Sequence, residues 1–535
     1  MEDGGNKRRL ILALLLIAAG TALRSAALGV IPAGLNQDEA SSAYEAFALM
    51  TEGIDRAGNA RPVLLTAWGS GQNILYTLLT IPVFRLFGIS MVTIRLVSLV
   101  LGCASMPVFY LLMKRLFGPK AALWGLLVLA LNPWHIMLSR WALESNLLPF
   151  FLLCGTYFLS LSIPGGQFSL PKTGKPAEGL APKMPLDWHT VYPFLFAGAS
   201  YALALYAYGT AFLFLPFFLP AATAYFIRRG RKLISILPGA VLFLVLAVPI
   251  LLTNIINMFG LPQMELLGLT LPRLTEARQA ETTVLGGGGI PAALGNLRDF
   301  IKLLIFQTDG LRFNALPGFG TMYFFGLAFS AWGAVWAAKN KRAGLVFIWL
   351  FCCLPAAALT EVNINRMNMV YMPLLIFAGI GAWRCAFILK KLLKGPAAAL
   401  LPAALYVAAG AFFAFFYFHN FNAIIGKTFF EGFSEAVRYA ETLGKDRVYI
   451  TDSVNMPYIY VLLENRIAPS EFIETVEYIN PDGAFRWVRR FGKYEFGRSF
   501  DHQAPGTVYI VESGEDAGFE AWHGIEFGYY RVLWR

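Results

Sequence analysis

The sequence predicts an all-α polytopic membrane protein with a small α/β domain at its C-terminal end. Three observations predict it. Of 535 residues, 57% are hydrophobic and only 14% are charged, against roughly 25% charged in an ordinary soluble chain. The 45 Phe, 22 Tyr and 12 Trp carry more apolar surface than one or two soluble cores absorb. Apolar runs of membrane-crossing length recur through residues 1–426 and then stop. A soluble enzyme, a disordered chain and a fibrous protein are excluded on these grounds.

Charge divides the chain at the same place. Residues 427–535 carry 17 acids and 12 Lys and Arg, a net −5, which leaves +16 on residues 1–426. Residues 1–426 are therefore read as the transmembrane domain and 427–535 as a soluble domain. The overall +11 gives no reason to expect nucleic acid, because bases flanking spans are what a membrane topology requires. The five cysteines (Cys103, Cys154, Cys352, Cys353, Cys385) lie in apolar runs, lack metal-ligand spacing and suggest no disulfide framework.

The first span runs from Leu10 to about Val30, with Lys7, Arg8 and Arg9 holding its start in the cytoplasm. It is too long for the apolar region of a signal peptide. Further runs lie at 91–112, 120–138, 143–162, 192–208, 210–227, 233–256, 320–337, 343–360, 369–389 and 397–418. Four basic clusters punctuate them: Lys114-Arg115 with Lys120, Arg228-Arg229 with Arg231-Lys232, Lys339 with Lys341-Arg342, and Lys390-Lys391 with Lys394. Alternating crossings put all four in the cytoplasm, on one condition. The run 73–87 must not cross. It is shorter than the ~20 residues a span needs and contains Pro82 and Arg85. A juxtamembrane or re-entrant segment is expected there. The count is then about 11 transmembrane helices, or 13 if two short runs also cross, with the N-terminus cytoplasmic and the C-terminal domain extracytoplasmic.

On this topology the outer face carries the loop 31–90, the link Ser139–Asn146, the loop 257–319, the link Glu361–Asn368 and the tail. The inner loop 163–190 reads as a flexible Pro-, Gly- and Lys-rich connector. Gly286–Gly289 lacks the ending of a phosphate loop and reads as part of an outer loop. In the tail, Glu431–Leu443 has helical spacing, Arg447–Thr451 and Thr507–Glu512 read as strands, and Phe485–Phe491 as a helix.

Charge at a membrane edge is costly, so the few acids there are functional candidates. Asp38-Glu39 follows the first span in Leu35-Asn-Gln-Asp-Glu-Ala-Ser-Ser-Ala-Tyr44. A carboxylate there can take the proton of an acceptor hydroxyl; equally, Asp38 can cap the helix that follows. Arg140 and Glu144 stand four apart, which fits either a helical salt bridge or a cavity-facing pair. Arg366, in Asn363-Ile-Asn-Arg-Met-Asn368, offers a planar fork for phosphate or is a solvated loop residue. Arg24, three-quarters along the first span, snorkels outward or approaches a lipid phosphate. The five histidines are scattered without metal spacing.

The order of these features resembles a known family. A basic N-terminus and one span precede Asp-Glu. Then come Pro82-Val-Phe-Arg-Leu-Phe-Gly88, Thr93-Ile-Arg-Leu-Val-Ser98 and Asn132-Pro-Trp-His-Ile-Met-Leu-Ser-Arg140, with an acid four residues after its Arg. Over roughly residues 8–160 this resembles the bacterial protein O-mannosyltransferase-like glycosyltransferases (family 39), which share the GT-C membrane fold with the lipid A aminoarabinose transferases. The resemblance implies transfer of a sugar from a polyprenyl-phosphate carrier to a hydroxyl acceptor on a protein, lipid or cell-envelope glycan, at the extracytoplasmic face of the cell membrane. It implies Asp38 as general base, with Glu39 and Glu144 as further catalytic acids. Arg140 and Arg366, with Arg24, would hold the donor phosphate. Gln37, Tyr44 and Asn365 are the neighbouring candidates for substrate binding. No cofactor is expected, and a divalent metal is left open. Relatives of the aminoarabinose type carry a Lys-Pro-Pro-like element where this chain has Ala67-Trp-Gly-Ser-Gly-Gln-Asn73, so donor or acceptor is expected to differ. The alternative reading is a transporter or flippase of lipid-linked sugars, but no internal repeat supports it. A non-catalytic membrane protein whose tail binds partners is a third reading, which the Asp-Glu position argues against.

Overall fold

The computed structural model describes residues 2–163, 188–276, 284, 288–497, 504, 506–515, 518–519 and 521–535. Most of the 163–190 connector, and Gly286 and Gly287 of the Gly286–Gly289 run, lie outside the described residues.

Every apolar run read from the sequence holds a helix. In chain order these are α1 (Glu2–Ser25), α4 (Met91–Phe117), α5 (Pro119–Ala130), α6 (Pro133–Leu138), α7 (Leu148–Leu161), α8 (Trp188–Ala207), α9 (Ala211–Arg228), α10 (Leu233–Phe259), α12 (Phe324–Ala337), α13 (Gly344–Leu359), α14 (Asn368–Leu392) and α15 (Leu401–Ile425). The run 120–138 is two helices rather than one. Asn132 ends α5 and caps α6 by accepting from the His135 N–H at 2.9 Å, and Pro133 sits at the first position of α6, where its missing N–H costs nothing. Between the spans lie α2 (Gln37–Thr51), α3 (Leu75–Phe87) and α11 (Gly289–Phe306). Among the described residues, six helices are long and apolar enough to cross a membrane: α4, α8, α9, α10, α14 and α15. Helices α3, α5, α12 and α13 are apolar but shorter, between 10 and 17 residues.

Helix α14 is the most enclosed of the six long helices, with an unbroken buried stretch from Asn368 to Ala382. Small residues let its neighbours close on it. A Cβ on Gly333 of α12 would collide with the Phe377 carbonyl, and one on Gly381 of α14 with the Phe329 carbonyl. The two backbones therefore cross at a distance only glycine permits.

The tail forms an α/β domain. Helices α16 (Phe433–Thr442), α17 (Tyr458–Glu464) and α18 (Pro469–Thr475) accompany a seven-stranded mixed sheet ordered β10-β11-β9-β5-β8-β7-β6. Its strands are β5 (Arg447–Ile450), β6 (Glu477–Tyr478), β7 (Val488–Phe491), β8 (Tyr494–Phe496), β9 (Thr507–Glu512), β10 (His523–Phe527) and β11 (Tyr530–Trp534). β5 runs parallel to β8 and β9, and the other pairs are antiparallel. Helix α16 buries Phe433, Ala436, Val437 and Ala440, the spacing of a single helical face. The helix expected at Phe485–Phe491 is not formed, and Val488–Phe491 is strand β7 instead. Gly492 adopts φ 47°, which a tight hairpin turn requires, and Phe491 pairs with Tyr494 across it.

The domain is docked, not tethered. The Leu35 N–H donates to the Phe429 carbonyl at 2.7 Å, Tyr44 Oη to Ile467 O at 3.0 Å, and Tyr460 Oη to Leu35 O at 2.8 Å. Ser470 Oγ donates to Glu52 Oε1 at 2.8 Å, and the Arg486 N–H to Trp68 O at 2.8 Å. The loop between α1 and α3, with its short hairpin β1 (Leu64–Leu65) and β2 (Gln72–Asn73), is thereby held between the bundle and the tail. A second hairpin, β3 (Met264–Leu266) with β4 (Leu269–Leu271), reaches the same loop, where the Val63 N–H donates to Thr270 O at 2.9 Å.

Candidate active site

The N-terminus of α2 organises one end of the bundle. Its cap is Asn36, not Asp38. The Asn36 side chain accepts from the Asp38 N–H at 2.9 Å, and Glu39 Oε2 accepts from the Asn36 N–H at 3.1 Å, closing a capping box. Asp38 is then a half-buried carboxylate in the first helical turn, where the helix dipole favours negative charge. Gln37 beside it is also half-buried.

Glu39 has a different environment. It is fully buried and grips Arg95 with both oxygens, at 2.9 and 3.1 Å. Its Oε1 also accepts from the Ala142 N–H at 2.8 Å. Arg95 spends its remaining donors on the carbonyls of Leu28, Pro32 and Gly34. One buried ion pair thus binds the end of the first span, α2, α4 and the link before α7. Sequence reasoning quoted Arg95 in a motif but gave it no role. A basic residue one turn into an apolar span was the available signal.

Arg140 and Arg24 are both fully buried, and their donors are taken. Arg140 donates to the carbonyls of Leu23, Arg24, Ala26 and Ile31 and to Tyr417 Oη, between 2.6 and 3.3 Å. It closes the C-terminal end of α1, whose last carbonyls lack helical partners. Arg24 does the same for α5, donating to Leu129 O at 2.9 Å and Ala130 O at 3.0 Å, and to His135 Nδ1 at 2.8 Å. In this structure the forks of the two arginines expected at the donor phosphate are occupied mainly by backbone oxygen. Arg140 and Glu144 do not share a helix, so the helical reading of their spacing does not hold. Arg140 follows α6, Glu144 opens a 3-10 turn (Glu144–Leu147), and the Glu144 carboxylate accepts from the Asn73 N–H. Tyr44, expected among the substrate-binding residues, is fully buried and its hydroxyl donates to the tail.

Arg366 keeps capacity. Its Nη1 donates to the exposed Glu361 carboxylate at 2.7 Å, and its side chain is 13% exposed. Among the described residues, no hydrogen bond engages its Nε or Nη2. The link carrying it is tied to the Glu144 turn. Asn368 Nδ2 donates to Ser145 O at 3.1 Å, and Asn368 Oδ1 accepts from Trp134 Nε1 at 2.9 Å. A small cleft opens there, lined by Trp141, Asn146, Phe313, Asn314, Asn365 and Asn368 among others. Hydrogen bonds thus bring together three segments far apart in sequence: the start of α2 with Asp38, the turn with Glu144, and the link with Asn365 and Arg366.

A second buried ion pair lies further along α2. Glu45 meets Arg56 Nε at 3.2 Å, and the Arg56 guanidinium stacks on Trp68 with 4.4 Å to the ring centroid. Burial pushes the Glu45 carboxyl up to about 7, and the Arg56 charge only partly offsets this. Among the described residues, no group of three or more His, Cys, Asp or Glu is placed to hold a metal ion.

Fold and site together define a multi-pass membrane protein with its scarce buried charge gathered at one end of a helical bundle, under a mixed-sheet domain. That fold is the GT-C fold of ArnT from Cupriavidus metallidurans. The structure of ArnT bound to undecaprenyl phosphate matches with a TM-score of 0.56 at 13% identity, over 97% of this chain and 97% of that one. Its apo structure matches with a TM-score of 0.55 at 11% identity, over 99% and 98%. The family model described as dolichyl-phosphate-mannose-protein mannosyltransferase matches residues 74–168, the stretch that carries Arg95, Arg140 and Glu144. No curated protein sequence matches.

Proposed function

We propose that the chain is an integral-membrane glycosyltransferase that moves a sugar from a polyprenyl-phosphate carrier to a hydroxyl acceptor on the extracytoplasmic side. The observation that carries this is the division of labour at the start of α2. Glu39 is sealed into a fixed ion pair and tied to the link before the Glu144 turn, while Asp38, one residue earlier, stays half-buried. A rigid support for a more accessible carboxylate is what a positioned general base needs. Fold likeness to ArnT, solved with undecaprenyl phosphate, supports the choice of carrier.

In the proposed reaction the acceptor oxygen attacks the anomeric carbon as Asp38 takes its proton. The bond from that carbon to the phosphate oxygen breaks, and its electron pair leaves with the polyprenyl phosphate. Arg366 neutralises the charge that develops there. Glu144, with Gln37 and Asn365, holds sugar hydroxyls. Arg24, Arg140 and Glu39 act as positioning residues. We further place the N-terminus in the cytoplasm and the C-terminal domain outside, with eleven crossings and α3 lying at the outer surface. Helix α3 carries Pro82 and Arg85, and counting it as a crossing would move all four basic clusters to the outer side.

The test is a mass-spectrometric transfer assay with purified protein, polyprenyl-phosphate sugars and hydroxyl acceptors. Asp38→Asn is expected to lose at least ~10²-fold in rate with its thermal unfolding unchanged. Full activity in that variant overturns the base assignment. Labelling of a cysteine placed at Arg229 from the outside would overturn the topology.

A further inference from the structure

The end of the bundle away from the candidate site holds a cavity that the proposed transfer does not use. Helices α9 and α10 are joined by a short turn, yet they pack on different partners: α9 on α13 and α10 on α8. They diverge from the turn and leave a cavity of about 220 Å³ between them, with α8 as its back wall. The lining is almost wholly apolar, including Phe194, Ala222, Phe226, Gly239, Ala240 and Phe243. The back wall can sit so deep because α8 and α10 touch at Gly198 and Gly239, where a Cβ on either would strike the other helix. Tyr201 brings a hydroxyl to the wall, but it pairs with Thr156 Oγ1 at 3.3 Å. Apolar space of this kind holds no ordered water; in a bilayer it fills with hydrocarbon.

Charge identifies the lipid. The turn at the cavity's end carries Arg228, Arg229, Arg231 and Lys232, and no acid occurs anywhere from Trp188 to Phe259. Arg231 is anchored to Ser162 O at 2.8 Å, and Arg115 and Arg342 lie close enough to share its field. Arg228 and Lys232 are exposed. A cluster of cations at the mouth of an apolar cleft matches a phosphate headgroup with its chain inserted. We propose that this cleft is a binding site for one anionic phospholipid of the adjacent leaflet, with an acyl chain between α9 and α10 and its headgroup on the Arg228–Lys232 turn. The site does not depend on the transfer reaction.

Native mass spectrometry of the full chain, purified in mild detergent and titrated with phosphatidylglycerol, tests it. Phosphatidylethanolamine with the same chains and polyprenyl phosphate serve as competitors. One phosphatidylglycerol per chain is expected, retained about tenfold better than phosphatidylethanolamine. Ala240→Phe, which fills the mouth, and the pair Arg229→Gln with Lys232→Gln, which removes headgroup charge, should each abolish that preference. If Ala240→Phe does not fold, the charge pair on the exposed turn decides alone. Equal retention of the two phospholipids, a preference unchanged in the charge variant, or displacement by polyprenyl phosphate at equal concentration each overturns the proposal.

Discussion

Asp38 and Glu39 are neighbours in sequence with opposite environments, and the contrast sets the first expectation. Glu39 shares both oxygens with Arg95 in a fully buried site. Glu39→Gln leaves the guanidinium without its counter-charge, and removing one partner of such a pair costs about 3–5 kcal/mol. Thermal unfolding in detergent should show a large drop for Glu39→Gln and almost none for Asp38→Asn; equal, small drops would remove the structural assignment of Glu39. Glu45 gives a pH signature. Its folded-state carboxyl stands near 7 against an ordinary value of 4.5, so the folded chain holds a proton that the unfolded chain releases. Stability should therefore fall as pH rises from about 4.5 to about 7 and level off above that. Tyr44, Asp55, Arg56 and Tyr458 face this group. Glu45→Gln should flatten the slope of melting temperature against pH in that window, and parallel slopes in the two proteins would refute it. The sequence made the short list of acids legible because charge is rare in the body. It could not tell which arginines were free, because a carbonyl at a helix end leaves no trace in composition. Arg24 and Arg140 look like phosphate ligands until the ends of α5 and α1 are seen to need them.

Elements were legible where their periodicity was long, and less so where a turn decided them. The apolar runs all hold helices, and the strands at β5 and β9 fall where β-rich stretches lay. The break between α5 and α6 was hidden, since Asn132-Pro133 reads as part of a continuous apolar run until its cap is recognised. β7 was misread because Gly492 was not credited with a hairpin turn. The start of α2 shows how much an element's end can matter. Asn36 is buried, and its side chain fixes the backbone of Asp38. Asn36→Ala should cost ~1 kcal/mol of stability and also lower the transfer rate, because the base is held through that cap. Asn36→Asp keeps an accepting oxygen and should restore both. A rate that stays low in Asn36→Asp while stability recovers would separate the cap from the catalytic geometry.

At the scale of the whole molecule, the division at residue 427 is one of composition rather than of contact. The tail rests on the loop 31–74, and that loop carries Asp38, so domain and site share one wall. Two tyrosine hydroxyls make the joint in opposite directions: Tyr44 of α2 donates to the tail at Ile467, and Tyr460 of the tail donates back to Leu35. Neither could be read from the sequence, because residues more than 400 positions apart leave no periodic signal when they pair. Both are buried, so losing either hydroxyl leaves a carbonyl without its donor. A buried hydrogen bond of this kind contributes about 0.5–1.5 kcal/mol. Because both bonds hold the same interface, the double variant Tyr44→Phe with Tyr460→Phe should loosen the domain more than the bundle. Hydrogen exchange read by mass spectrometry is expected to rise in residues 31–52 and 458–467 and to stay unchanged in α10 and α14. If exchange rose equally in the bundle, the tail would be an integral part of one cooperative unit. If it rose nowhere, the remaining contacts at Phe429, Ser470 and Arg486 would be enough to hold the domain.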